Sequence, residues 1–208
     1  MSRKPDKEAT RTALLKAARE LMLEKGYTAA TVDLICARAG VTKGAFFHHF
    51  ATKEQLGVAA AHHWSTSTAA FFASAPFHHE TDSAARVLGY VDLRIALIAG
   101  PPESFSCVAG TMVQESFATS PAIRDACAAS IGANARALEA DLGDALATRG
   151  IIKPDAQSLA RYVQTVIQGA FVTAKALAPE DAAPAARESL GHLRRYLELL
   201  FAKEPHRG

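Results

Sequence analysis

Apolar residues return every three or four positions along almost the whole chain, and no stretch alternates with a period of two. The pattern therefore predicts helices and no strands. Leu14, Ala17, Ala18, Leu21 and Met22 mark an amphipathic helix from about Asp6 to Lys25, which Gly26 stops. Val32, Ile35, Cys36 and Ala39 fall at i, i+3, i+4 and i+7, which makes a short second helix with Thr31 as its N-cap and Gly40 as its end. Lys43 to His49 form a third, with Phe46 and Phe50 four apart and facing inward. Thr52 and Gln55 read as a capping box opening a longer helix that runs by Leu56, Ala60, His63 and Trp64 toward Phe72 and ends at Ala75-Pro76-Phe77. After Thr81-Asp82 a helix carries Val87, Leu88, Val91, Ile95 and Ile98 and stops at Gly100-Pro101-Pro102. Another is expected from about Ser104 to Ala118. Ser120-Pro121 opens an alanine-rich helix reaching Gly150 by way of Ile131, Leu138 and Leu142. Pro154-Asp155 opens one with Leu159, Tyr162, Val163, Val166, Ile167, Ala170, Phe171 and Ala174, and a last helix follows Pro179 with Leu190, Leu193, Leu197, Leu200 and Phe201.

Within this series the stretch from Thr31 to Lys53 stands apart. Gly40-Val41-Thr42 fits the short turn of a helix-turn-helix, with Val41 as the apolar wedge between the two helices. With Phe46 and Phe50 inward, Thr42, Lys43, Gly44, Phe47, His48 and His49 face the other way. A hydroxyl, an ammonium, a bare backbone N–H and imidazoles can meet phosphate oxygens or base edges. Lys53 in the first turn of the next helix opposes its macrodipole, which a phosphate would relieve. The same spacing also occurs in helical hairpins that touch no nucleic acid, their lysine and histidines merely solvated.

Composition narrows the classes. At 208 residues and 49% hydrophobic content the chain can bury a core, as one domain or two small ones. No apolar run reaches the roughly 18 residues of a membrane span, and MSRKPDKEATR lacks the apolar segment of a secretory signal, so the expectation is a cytoplasmic protein with no membrane partner. The overall charge of +2 is unevenly placed: through Leu56 ten basic residues oppose six acidic ones, about +4, which leaves about −2 beyond. That asymmetry suits an end that meets a polyanion, and a basic arm before Lys7 could reach into a minor groove. Three cysteines without CxxC spacing exclude a disulfide framework and a zinc ribbon.

The run LMLEKGYTAATVDLICARAGVTKGAFFHHFATKEQL, extending back to about Thr12, resembles the amino-terminal signature of tetracycline-repressor-like (TetR) transcription factors. Gly26-Tyr27, Thr31-Val32, Ala39-Gly40-Val41, Lys43-Gly44, His49-Phe50 and Lys53-Glu54 arrive in register. The resemblance implies an all-α fold, with a three-helix DNA-binding domain over residues 1–56 and a helical effector-binding and dimerisation domain over 57–208. It implies that Thr31, Thr42, Lys43, Gly44, His48, His49 and Lys53 approach a double-stranded DNA operator. Phe47 stands where the family usually has a phosphate-binding tyrosine, and can offer only apolar contact, such as to a thymine methyl. The implied regulator is ligand-responsive, most often a repressor, and binds a palindromic operator as a homodimer. The two carboxy-terminal helices, apolar over more than one stripe, suit that dimer, because two readers must sit about 34 Å or more apart.

The region between Trp64 and Phe171 resembles the family's variable effector domain, which encloses a small-molecule cavity. Candidate lining residues for an apolar or aromatic effector are Trp64, Phe105, Cys107, Val108, Met112, Phe117, Val163, Ile167 and Phe171, with Arg94 and Gln168 as polar handles; each could equally be core. The segment Ser106-Cys107-Val108-Ala109-Gly110 to Glu115, followed by Ser120-Pro121-Ala122-Ile123-Arg124, is similar to a subgroup with a cysteine at that place, which implies a redox or electrophile sensor at Cys107 with Lys175 as its cation. A buried, inert thiol is the plain alternative. The pairs His62-His63 and His78-His79 point about 100° apart on a helix and have no acidic or cysteine neighbours at ligand spacing, so no metal site is expected. No nucleophile, base and acid set and no phosphate-cradling loop is present, so neither enzyme chemistry nor a cofactor is expected. The competing class is a helical small-molecule carrier or protein-interaction module without specific DNA binding.

Overall fold

The computed structural model describes residues 7–202, and every regular element in them is helical. In order these are α1 (Lys7–Ala29), α2 (Val32–Ala39), α3 (Lys43–His49), α4 (Lys53–Ala73), a short 3-10 helix (Pro76–His79), α5 (Ser83–Ala96), α6 (Pro102–Phe105), α7 (Val108–Ser116), α8 (Pro121–Thr148), α9 (Ala156–Ala174) and α10 (Pro179–Phe201). The basic arm expected before Lys7 lies outside the described residues. Among them, no helix is long and apolar enough to cross a membrane.

By contacts the chain divides into two compact units. The first holds α1 to α3, α4 as far as Ser67, and Cys107–Ser130, which brings in α7 and the start of α8. Leu14, Leu21, Met22, Ile35, Phe46, Leu56, Met112 and Ile123 are fully buried, so the stripes of α1 to α4 do face one core. Helix α1 packs on both α2 and α7. Its path breaks at Gly26, whose φ of +87° is left-handed, and the chain then makes one further turn to Ala29. Thr52 accepts from the Gln55 N–H at 3.1 Å, but the Gln55 carbonyl takes the Ala51 N–H at 3.0 Å rather than that of Thr52.

The second unit comprises Thr68–Ser106 and the residues from Ile131 onward. Here α10 packs against α9 and α5, burying Leu159, Val163 and Ile167 with Leu190, Leu193 and Leu197. Asp82 and Asp155 cap α5 and α9. The Arg86 guanidinium meets Asp141 at 2.7 Å with both side chains about four-fifths buried, tying α5 to α8.

One expected helix is two. In place of a helix from Ser104 to Ala118, α6 begins at Pro102, where proline serves as a first-turn residue, and the chain is extended at Ser106 and Cys107 before α7 starts. The break is stabilised because the Cys107 sulfur accepts the Gly110 N–H at 3.4 Å, the position a serine or aspartate cap would take.

Candidate nucleic-acid interface

The turn between α2 and α3 is fixed by three local devices. The Thr31 hydroxyl accepts from Leu34 N–H at 3.3 Å and the Thr42 hydroxyl from Ala45 N–H at 3.1 Å, so each short helix has a side-chain cap. Between them Gly40 takes a left-handed φ of +66°, and the Val41 N–H reaches back to the Cys36 carbonyl at 3.0 Å. Capping uses each threonine as acceptor only; the hydroxyl proton is left to donate outward.

Beneath this turn Phe46 and Phe50 are buried. The opposite side of α3 presents Thr42, Lys43, Gly44, Phe47 and His48 to solvent, with His49 half-buried at its edge. Phe47 is 56% exposed and rests edge-on against Phe46, ring centres 5.1 Å apart. Lys43 is not isolated: its ammonium lies 2.7 Å from the Asp33 carboxylate on α2, which raises its pKa. Partial burial, and then His48, Lys7 and Arg11 nearby, hold the His49 imidazole below its ordinary value. Gly44 has no packing reason to be glycine. A Cβ there would meet only the Thr42 hydroxyl oxygen, at an ordinary 3.7 Å.

Lys53 is placed differently from the others. Its ammonium donates to the Thr28 carbonyl at 3.0 Å and sits 4.4 Å from the centre of the Tyr27 ring. Burial lowers its pKa against the opposing pull of Glu115. The counterweight to its place in the first turn of α4 thus exists inside the chain.

Glu115, on α7, accepts the Tyr27 and Thr28 N–H groups at 2.9 and 2.8 Å. Burial alone would raise its carboxyl, but the Thr28 and Tyr27 hydrogen bonds and Lys53 hold it below the ordinary range. A Cβ on Gly26 would stand 2.2 Å from a Glu115 carboxylate oxygen, the movable end of that side chain, so it is the left-handed φ that requires glycine there. Sequence reasoning gave Glu115 no task, since its partners are backbone groups 87 and 88 residues away. A second tie missed in the same way is the short bond from the Ser120 hydroxyl to Glu54. Arg38 grips Glu24 through two nitrogens at 2.8 and 3.0 Å, fastening α2 to α1.

The candidate effector residues fall in both units. In the first, Cys107, Val108 and Met112 are buried, Trp64 is half-buried beneath the Arg19 guanidinium, and Phe117 is 60% exposed. In the second, Phe105 and Phe171 pack with ring centres 5.8 Å apart, Val163 and Ile167 are buried, Gln168 is half-buried, and Arg94 stacks on Phe72. The second unit also has a cavity of about 300 Å³ walled by Phe72, Phe77, Tyr90, Leu138 and their neighbours. Lys175 follows directly on α9 there. Cys127 is buried in the first unit, its thiol pushed up to about 12 by burial and then by Cys107. His78 bonds the Phe72 carbonyl at 3.1 Å, and among the described residues no three histidine, cysteine or acidic groups are placed to hold a metal.

A helix-turn-helix with both helices capped, set on a third helix and carrying a polar outward face, is the build of helix-turn-helix regulatory proteins. Comparison with known proteins gives the lineage. Residues 14–60 match the family described as bacterial regulatory proteins, tetR family, and residues 96–184 match the description transcriptional regulator LmrA/YxaF-like, C-terminal domain. Over 49 residues, 24% of this chain, it is 51% identical to the Transposon Tn10 TetC protein and 41% identical to the HTH-type transcriptional regulator UidR, both of Escherichia coli. Those matches span about 25% of each relative's length. A TetR-family regulator from Agrobacterium tumefaciens has the same fold at 21% identity, with a TM-score of 0.77 over 93% of this chain and 98% of that one. The chain belongs to the TetR family, a family of regulatory proteins rather than enzymes.

Proposed function

We propose that this chain is a ligand-responsive transcriptional repressor working in the cytoplasm, which binds a palindromic DNA operator as a homodimer and releases it when a small molecule binds. Residues 1–56 are the reading domain and 57–208 the effector and dimerisation domain. Thr31, Thr42, Lys43, Gly44, Phe47, His48, His49 and Lys53 form the reading set. The observation that carries this is Gly44: a bare residue on the exposed side of the reading helix, where a Cβ would make only an ordinary contact, leaves its backbone open to close approach from outside the chain. Lys43 supports it by exchanging Asp33 for a phosphate, a surface ion pair that costs little to open.

For the dimer, α9 and α10 leave Tyr162, Val172, Tyr196 and Leu199 exposed, and the Tyr162 and Tyr196 rings lie 5.4 Å apart. A second copy covers that face in the proposal. Sedimentation that finds only monomers at micromolar concentration removes it. Induction is a population shift: the effector prefers the form whose reading helices are wrongly spaced. For electrophile sensing, Cys107 is the candidate thiol and Lys175 the candidate cation; release of DNA by an alkylating agent from the native chain but not from Cys107→Ser supports that role.

The test of the whole reading is selection from random duplex DNA followed by a salt titration. A reader enriches particular sequences and loses affinity with a slope of about −0.9 per phosphate neutralised in log K against log[salt]. No enrichment and no slope would leave the carrier reading instead.

A further inference from the structure

In the second unit, Tyr90 and Arg94 lie one turn apart on α5, and Gln164 of α9 meets them. Arg94 Nε donates to the Tyr90 phenol oxygen at 2.9 Å, and Gln164 Nε2 donates to the same oxygen at 3.1 Å. That oxygen thus receives two N–H groups, and its own proton is left to be given elsewhere.

The cluster is incomplete in two further ways. Gln164 is only 3% exposed, and its side-chain carbonyl has no partner among the described residues. Turning the amide over would put the NH2 group where the unpartnered carbonyl now lies and set the carbonyl against the Tyr90 oxygen. Arg94 is the second case. Of the four half-buried arginines in this unit, Arg86, Arg149 and Arg194 hold Asp141, Asp82 and Asp92. Arg94 holds no carboxylate; its guanidinium lies 4.2 Å from the centre of the Phe72 ring and 5.2 Å from that of Tyr90. Leaving buried polar groups unmade is costly, and native chains do so where a water or a ligand completes them.

The missing partners define a ligand. The free edge of a guanidinium carries parallel N–H groups that match a carboxylate, and the Tyr90 O–H adds a third donor. Phe72 and Tyr90 also wall the cavity of about 300 Å³, together with Phe77, Leu138 and the polar His78, Asn134 and Asp141, the last already paired with Arg86, so the cluster and the cavity share these two rings. A hydroxyl can pair with either end of the Gln164 amide. We propose that Arg94, Tyr90 and Gln164 recognise a small aromatic carboxylic acid bearing a hydroxyl group, the acid on Arg94 and Tyr90, the hydroxyl on Gln164 and the ring against Phe72. This names the chemistry of the effector, and for its regulatory use it rests on the function proposed above.

Calorimetric titration of the full chain without DNA tests it, with the three hydroxybenzoate isomers, benzoate and the corresponding amides as probes. At least one hydroxybenzoate isomer binds about tenfold more tightly than benzoate, and about tenfold more tightly than its own amide. Arg94→Met removes the preference for acid over amide, while Gln164→Leu brings the hydroxybenzoate down to the level of benzoate measured on the same variant and keeps the preference of acid over amide; a general loss of structure would move all the probes together. Equal binding of acid and amide by the native chain overturns the proposal even if neither variant folds. So does the absence of binding by any isomer, or an Arg94→Met chain that keeps the acid preference. Duplex selection run beside it separates the two readings: acid binding without DNA preference sinks only the regulatory one, and DNA preference without acid binding sinks only this one.

Discussion

Gly44→Ala separates what the fold needs from what a duplex would need. Glycine inside a helix is less stable than alanine by about 0.5–1 kcal/mol, and the nearest atom to the new methyl, the Thr42 hydroxyl oxygen at 3.7 Å, leaves it room. Because residue 44 sits in the first turn of a seven-residue helix, the lower end of that range applies. For a chain of this size the gain amounts to about 1–2 °C in the unfolding midpoint. Binding should move the other way. A methyl carbon about 1.5 Å out from the backbone intrudes on the shell, about 2.7–3.2 Å from a backbone N–H, where a phosphate oxygen would sit. Loss of one such contact predicts at least about a tenfold fall in operator affinity, or about 1.4 kcal/mol. Thermal unfolding followed by circular dichroism, and fluorescence anisotropy with the selected duplex, give the two numbers on one preparation. A variant that is more stable and binds equally well refutes the claim that the bare position is reserved for DNA. One that is less stable refutes the packing argument beneath it.

Phe47→Tyr adds a phenol to a side chain already 56% exposed, and should tighten binding to unrelated duplexes about two- to tenfold without changing the salt slope, since no charge is added; unchanged affinity counts against a phosphate near that ring. Glu115→Gln leaves one side-chain oxygen where two now accept Tyr27 and Thr28, and should cost about 1 kcal/mol at pH 7. Because the folded chain holds this carboxyl below its ordinary 4.5, the native advantage is fully present above that pH and closes as pH falls through the folded value, so unfolding curves of the two chains should converge in acid. With its thiol pushed up to about 12, Cys127 should resist iodoacetamide at pH 8.5 in the native chain and react once it is denatured; peptide mass spectrometry that finds native Cys127 alkylated would contradict the burial.

What the sequence revealed and what it hid differ by range. Thr31, Gly40 and Thr42 could be read because each acts on backbone groups within five residues of itself, where spacing and residue type are the whole signal. The helical register of Leu14, Leu21, Ile35 and Phe46 was legible for a similar reason, since a period of 3.6 picks out the buried side without knowledge of the partner. The break at Ser106-Cys107 was not legible, because cysteine is a weak acceptor and the run from Ser104 to Ala118 lacks any glycine or proline at that point. Glu115 and Ser120 were hidden because their partners are far away in the chain. The Tyr90, Arg94 and Gln164 cluster was half visible: the sequence offers Arg94 and Gln168 as polar handles, whereas the structure brings Gln164 to Tyr90.

The ion pairs of the first unit alter the kinetics of any encounter with a polyanion. Arg38 is clasped by Glu24, Lys43 is matched by Asp33, and Lys53 is drawn in against Tyr27 beside Glu115. Counting lysines and arginines therefore overstates the attraction felt at a distance, because these three cations reach a distant phosphate as dipoles rather than as bare charges. Arrival would be slower than the count of lysines and arginines suggests, and part of the grip would come afterwards, as Lys43 trades Asp33 for the duplex.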